Sequence, residues 1–184
     1  MTTLTVPLLM TAEEFLLRAD LDGPVELVHG KVIEMPPPMP RHAQVCYKIA
    51  RHLGNCVDDR LGHVLTNEAC IITQRGPDTV RGGDVCYISF AKVPKGPLPV
   101  GYLFSPPEIV FEVRSPSDRW KDILKKVVEY LDAGVTAVCV VDPTTETGRI
   151  YRSDRDEEQL KNGDLVTFDD VLPGFSVPLK QLFE

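Results

Sequence analysis

The feature that most constrains the fold is a strand, helix and strand in succession in the second half of the chain. The mostly apolar segment EIVFEVRS, residues 108–115, predicts a buried strand, and VTAVCVVD, residues 135–142, is a β-branched run long enough only for another. Residues 118–132 lie between them and place one apolar stripe at helical spacing: Ile123, Leu124, Val127, Val128 and Leu131. This order predicts two parallel strands joined by a right-handed crossover, and therefore an α/β fold.

The N-terminal part predicts a short helix followed by a β-hairpin. In MTAEEFLLRAD, Thr11 and Glu14 have the spacing of a capping box. In VELVHGKVIEM, His29 and Gly30 form a two-residue turn signal between two short strands. Near the other end, GRIYRSD follows VTAVCVVD across a turn at PTTETG and predicts a second hairpin. With hairpins at both ends, we expect a central mixed β-sheet flanked by helices. No linker divides the 184 residues, so a single domain over residues 1–184 is predicted.

Charge and cysteine content restrict the classes of function. The net charge of −7 argues against a surface that binds nucleic acid by broad electrostatics, unless a local basic patch or a metal site compensates. The five cysteines form no C-x-x-C pair, which is typical of buried thiols in a reducing cytoplasm. No apolar run approaches the ~18 residues of a membrane span. We therefore expect a cytoplasmic protein that does not associate with membranes.

Two carboxylates are candidates for a metal site. Strand alternation places Glu112 and Arg114 on the face opposite Phe111, and Asp84 is expected at the start of the strand DVCYISF. Carboxylates at neighbouring strand ends suit a hard divalent cation. On the following helix, Lys125 and Lys126 flank the apolar stripe at nearly equal angles, so the helical wheel alone does not say which one faces the sheet. Asp122, Lys126 and Tyr130 stack along one side, with Tyr130 expected at the edge of the stripe.

The order of these segments resembles the Uma-two family of bacterial endonucleases in the PD-(D/E)XK restriction-endonuclease-like superfamily. The resemblance is carried by Glu26 in its hairpin, the Gly-Asp pair before VCYISF, and PPEIVFEV-x-SPS followed by D-x-x-x-K-x-x-x-Y and A-G-V. It implies a restriction-endonuclease-like fold in which Asp84 and Glu112 hold magnesium or manganese and Glu26 completes the acidic set. The lysine of such sites would come from the helix, and the motif selects Lys126.

The resemblance also implies an activity and partners: metal-dependent hydrolysis of phosphodiester bonds in nucleic acid, with DNA the expected substrate and a homodimer the expected assembly. The alternative is a catalytically inactive module on the same fold that binds nucleic acid or a protein.

Three residues near the motifs leave questions open. Gly83 stands where the family typically has proline. Arg114 takes the third place of (D/E)XK and could either contact a phosphate or pair with Glu112. The segment RHAQVCYKIARHLGNCVDD has apolar residues at helical spacing and predicts a helix. His42, at the start of this helix, could lie near the site in this family, but a surface or capping role is the expectation. None of the four histidines has the spacing of a zinc site.

Overall fold

The helices and strands follow the predicted order. The computed structural model describes residues 9–18, 23–58, 60–103 and 105–184, which contain three α-helices and ten strands. The helices are α1 (Ala12–Leu16), α2 (Pro40–Val57) and α3 (Trp120–Asp132). The strands are β1 (Val25–Val28), β2 (Lys31–Glu34), β3 (Gly62–Gln74), β4 (Thr79–Ser89), β5 (Ile109–Val113), β6 (Ala137–Asp142), β7 (Thr147–Tyr151), β8 (Glu158–Leu160), β9 (Leu165–Thr167) and β10 (Ser176–Pro178). A 3₁₀ helix, Leu179–Leu182, follows β10.

Eight strands form one mixed sheet around the long strand β4. The order is β2-β1-β4-β5-β6-β7-β8, and β3 pairs with β4 along its other edge. Strands β5 and β6 are parallel and are joined by α3, as the strand, helix and strand pattern predicts. The remaining pairs are antiparallel, including the β1/β2 and β6/β7 hairpins. The α/β fold with a central mixed sheet, an N-terminal helix and a hairpin is therefore confirmed.

The sheet buries its two faces against different helices. Strand alternation separates the apolar residues of β5, because Val110 faces α3 while Ile109 and Phe111 face α2. The α2 side of the core also contains Phe168 and Phe175 from the C-terminal segment, and Phe168 packs edge to face on Phe111 at a centroid separation of 5.6 Å. Because the sheet is covered on both sides, its polar side chains reach bulk water only through grooves at the surface.

The N-terminal elements form as their local signals indicate. Thr11 and Glu14 make the reciprocal hydrogen bonds of a capping box at the start of α1. In the β1/β2 turn, His29 and Gly30 both have positive φ, 49° and 73°, as a tight hairpin turn requires. A side chain at position 30 would collide with Leu9, since an added Cβ would lie 2.6 Å from the Cβ of that residue.

Several features were not predicted or lie outside the expectations. Strands β8, β9 and β10 have three residues each, too few for a pattern of alternation. All five cysteines are unpaired, but Cys70 is exposed, in contrast to the expected buried thiols.

No α-helix in the described parts of the chain is long and apolar enough to cross a membrane. The single-domain prediction stays a prediction, and residues 1–8, 19–22, 59 and 104 within it lie outside the described residues.

Candidate active site

The predicted acidic residues meet where β4 changes neighbours. Strand β4 pairs with β1 at Val80 and with β5 from Val85 onward, so β1 and β5 lie along the same edge of β4. Glu26 comes from β1, Glu112 from β5, and Asp84 from β4 between the two points of pairing. Asp84 therefore lies in the middle of a strand, and the expectation that it begins one is wrong.

A β-bulge determines the direction of Asp84. In the β3/β4 ladder, Asn67 and Glu68 both lie opposite Asp84, and both have positive φ, 65° and 57°. Asp84 contacts His42 on α2, and the next residue, Val85, packs in the core on that same side. Two consecutive side chains thus point toward α2, which a regular strand does not allow.

Packing under this bulge leaves no room for a side chain at position 83. A Cβ at position 83 would lie 2.6 Å from the sulfur of the buried Cys86 and 3.3 Å from Val110. The residue also lies inside the ladder, opposite Ala69, where proline would lack a backbone N–H. Glycine rather than the family's proline is therefore the residue that fits this chain.

Substituting Gly83 by Ala should lower the free energy of unfolding by about 1–3 kcal/mol, because the added methyl group overpacks the space beside Cys86. Adding Cys86→Ala removes the closest clashing atom. The loss in the double variant should therefore be smaller than the sum of the two single losses, as measured by urea unfolding. Strictly additive losses would show that the two positions do not compete for space.

Glu112 is buried and hydrogen-bonded from α3. Its side chain receives a hydrogen bond from the hydroxyl of Tyr130 at 2.8 Å, and its other oxygen lies 3.5 Å from Lys126 Nζ. Burial raises the pKa of Glu112 to about 7, an effect that Lys126 opposes and the negative charge of Asp84 reinforces. Tyr130 is fully buried and packs with Ile123 and Val127 of the apolar stripe.

Lys126 joins two carboxylates, whereas Lys125 is exposed. Lys126 Nζ lies 2.8 Å from Glu26 Oε1 in addition to its contact with Glu112. Burial by itself disfavours the charged amine, but the charges of Glu112 and Glu26 outweigh it and raise the pKa of Lys126 above its usual value. Lys126 is therefore an ammonium ion at neutral pH.

Arg81 is a further buried cation that anchors the same network. It donates to Glu26 Oε2 at 2.8 Å and makes two hydrogen bonds to the carboxylate of Glu129 on α3, at 2.6 and 3.0 Å. Glu26 also accepts the backbone N–H of Gly82 at 3.2 Å. Burial alone would raise the pKa of Glu26, but Lys126 and Arg81 together hold it below its usual value. Glu26 is thus an ionised carboxylate with both oxygens engaged.

Arg114 does not neutralise Glu112. Its guanidinium donates to Asp142 at 2.7 Å and lies 5.4 Å from the ring centroid of Trp120. The alternative in which Arg114 pairs with Glu112 is therefore wrong. The charge that accompanies Glu112 comes from Lys126 on the helix.

His42 and Cys46 form the α2 wall of the site. His42 Nε2 lies 3.3 Å from Asp84 Oδ2, and His42 Nδ1 lies 3.5 Å from Cys46 Sγ. Burial by itself lowers the pKa of His42, but its hydrogen bonds to Asp84 and Cys46 outweigh burial and raise the pKa to about 10. Among the described residues, His42, Cys46 and Asp84 are the one group of three potential metal ligands whose donor atoms lie within 4.8 Å of one another. The expected surface or capping role of His42 is therefore wrong.

A small polar cavity of about 70 Å³ brings the predicted residues together. Its charged and titratable lining includes Glu26, His42, Glu68, Asp84, Glu112 and Lys126. All four residues selected from the sequence line this one space. Glu68, Arg81 and a role for His42 were not predicted from the sequence. The single charges within β3 and β4 were the available signal, but their contacts depend on strand register.

Comparison with known proteins places this chain in a family. The family model Uma2, described as "Putative restriction endonuclease", matches residues 12–180. Comparison with curated proteins gives no match. Among solved structures, the chain is similar to one from Anabaena variabilis described as "a putative nuclease belonging to DUF820", with a TM-score of 0.79, 20% sequence identity and coverage of 95% of this chain and 97% of that chain. At this identity the likeness shows the fold, while the match to the family model spans most of the chain. The protein therefore belongs to the Uma2 family, which confirms the resemblance seen in its motifs.

Proposed function

We propose that this protein is a metal-dependent endonuclease that hydrolyses phosphodiester bonds, with DNA as the expected substrate. The observation that carries the proposal is the convergence of Glu26, Asp84, Glu112 and Lys126 on one cavity at the change of neighbours along β4. The family description and the nuclease-like fold agree with this reading. A homodimer is the expected assembly for cutting both strands of a duplex, since two-fold nucleic-acid backbones suit two-fold proteins.

The donor atoms of the site fit a hard divalent cation. Asp84 and Glu112 both line the central cavity, and the hydrogen bond from the backbone N–H of Val113 at 2.7 Å uses only Oδ2 of Asp84. Asp84 and Glu112 would hold the ion, and oxygen donors of this kind suit magnesium or manganese. The bound ion would lower the pKa of a water molecule and offset negative charge on the phosphate.

Lys126 supplies fixed positive charge beside the proposed metal ligands. Its raised pKa favours the ammonium form in this arrangement. Its contacts with Glu26 and Glu112 hold the ammonium group in place before substrate arrives. A preorganised cation of this kind stabilises negative charge that develops on a phosphate oxygen and can orient the attacking water.

Glu26 has a distinct role in this proposal. Its oxygens already accept from Lys126, Arg81 and the backbone of Gly82, so in this arrangement it positions Lys126. Direct ligation of the ion by Glu26 stays a prediction from the family motif. It would require Glu26 to give up part of this network.

Addition of magnesium or manganese should raise the melting temperature of the protein. A ligand that binds only the folded state at a hundredfold excess over its Kd stabilises by about 2.7 kcal/mol. For a chain of this size that corresponds to ~2–4 °C for each kcal/mol. The measurement is a thermal melt at increasing concentrations of each ion after removal of metal with EDTA.

The control variants separate the site from general effects of salt. Asp84→Asn should lose the shift, whereas Asp154→Asn, at an exposed carboxylate, should retain it. If millimolar metal does not raise the melting temperature of the wild type, the proposal of a catalytically inactive binding module replaces that of a nuclease. Cleavage assays on single- and double-stranded DNA and RNA then identify the substrate of an active enzyme.

A further inference from the structure

Helix α2 carries a charge opposite to that of the chain as a whole. The sequence has 27 acidic and 20 basic residues, yet the 18 residues of α2 contain no Asp or Glu. They contain three cations and two histidines: Arg41, His42, Lys48, Arg51 and His52. An acidic protein that acts on a polyanion needs a local surface of this kind, because phosphate contacts dominate nucleic-acid affinity.

A groove beside this helix adjoins the candidate active site. It has a volume of about 290 Å³, and its α2 wall includes Ala43, Cys46, Tyr47 and Ala50. Opposite them lie Thr66, Asn67 and Glu68 of the bulge in β3. The groove shares His42, Glu68 and Asp84 with the central polar cavity, so the two spaces adjoin at these residues. We call this space the α2 groove.

The exposed ring of Tyr47 belongs to the lining of the α2 groove, and the cation Arg51 lies beside that lining on the same helix. Tyr47 is 61% exposed, which is high for an aromatic residue, and lies one helical turn before the exposed Arg51. Residues four apart on a helix are neighbours on its surface. Among the described residues, Arg51 makes no ion pair, whereas Arg41 donates to the carbonyl oxygen of Phe183 at 2.7 Å.

We propose that the α2 groove binds one strand of the nucleic acid, with a base stacked on Tyr47 and a phosphate paired with Arg51, and leads the strand to Asp84. This inference rests on the proposed nuclease function and deepens it by naming the path of the substrate. Single strands are held by stacking on aromatic rings together with cations that follow the backbone.

The path is compatible with the acidic net charge. Helix α2 has no acidic residue and contributes Lys48 and Arg51 as cations beside the site, whereas acidic residues outnumber basic ones in the chain as a whole. Phosphates are then attracted to one side of the molecule. A proposed metal ion at Asp84 and Glu112 would offset the carboxylates at the inner end of the groove.

The test is the binding of fluorescently labelled single-stranded DNA and RNA to the full chain in EDTA, where metal-dependent cleavage does not interfere. Tyr47→Ala should weaken binding about 5–100-fold, while Tyr47→Phe, which keeps the ring, should bind like the wild type. Arg51→Ala should weaken binding and reduce the slope of log affinity against log salt by about one phosphate contact. Lys161→Ala, at an exposed lysine just after β8 and four strands from β4, should change neither quantity.

The outcomes separate this proposal from the nuclease proposal. If Tyr47→Ala and Arg51→Ala bind like the wild type while the wild type cleaves with metal, the α2 groove is not the path and the nuclease stands. If both variants lose binding and the wild type cleaves nothing with either metal, the groove stands and the nuclease fails. Binding of polyglutamate that is as tight as DNA binding and equally sensitive to Arg51→Ala would overturn the nucleic-acid partner in favour of an acidic protein.

Discussion

Replacing Glu112 with Gln should abolish metal-dependent cleavage, with a fall of about 10²–10³-fold or more in rate. Glutamine keeps the size of the side chain and an oxygen that can accept from Tyr130, but it removes the negative charge proposed to hold the ion. Lys126 keeps its ion pair with Glu26, so no cation is left without a partner. The measurement is the initial rate of cleavage in magnesium and in manganese, with Glu158→Gln as a control at an exposed glutamate of β8.

The same variant should also change how stability depends on pH. In the wild type, the pKa of Glu112 rises from 4.5 to about 7 on folding. A group with a raised pKa stabilises the folded state below its unfolded pKa, and this contribution is lost as pH rises through the folded pKa. In EDTA, the wild type should therefore lose stability relative to Glu112→Gln between about pH 4.5 and 7. Parallel stability curves over this range, together with an unchanged rate of cleavage, would contradict the proposed role of Glu112.

Removing the guanidinium of Arg81 should have the largest effect on stability. In Arg81→Met, Glu26 keeps only Lys126 as its cation, and Glu129 loses both of its hydrogen bonds from Arg81. Breaking a buried ion pair by removing one partner costs about 3–5 kcal/mol, because the remaining charge is left in a poorly solvated place. Urea unfolding at pH 7 measures the loss.

Two comparisons establish the cause of that loss. Arg119→Ala removes an arginine that is 82% exposed and paired with Asp122, and it should change stability by no more than about 0.5 kcal/mol. Adding Glu129→Gln to Arg81→Met removes one unpaired carboxylate and should recover part of the stability. A loss below about 1 kcal/mol in Arg81→Met would mean that water replaces the guanidinium in this network.

The strong periodic signals account for the parts of the fold that could be predicted. The alternation in β5, the apolar stripe of α3 and the β-branched run of β6 each follow from burial on a known face, and together they predict the parallel pair. The short strands near the C-terminus, such as β9, have no such pattern because three residues contain barely one period. Their place is decided by packing of Phe168 and Phe175 on the sheet, which is a long-range contact.

The sequence predicted which acidic residues lie close together, but not which ion pairs and hydrogen bonds connect them. Motif order selected Asp84, Glu112 and Glu26, and these residues do line one cavity. The choice between Lys125 and Lys126 depends on which flank of α3 faces β1, a property that the helical wheel does not contain. The role of Arg81 depends on the β1/β4 register, and that of His42 on the distance between α2 and β4.

The bulge in β3 has a consequence for how this site tolerates changes in chain length. One extra residue opposite Asp84 allows a carboxylate from β4 to face α2 while Glu112 on the adjacent strand is held from α3. A deletion at Asn67 or Glu68 would remove the bulge and so change the backbone against which Asp84 is placed, although every residue of the acidic motif would still be present. In this protein, insertions and deletions in β3 are therefore expected to affect the site, as are substitutions of the acidic residues themselves.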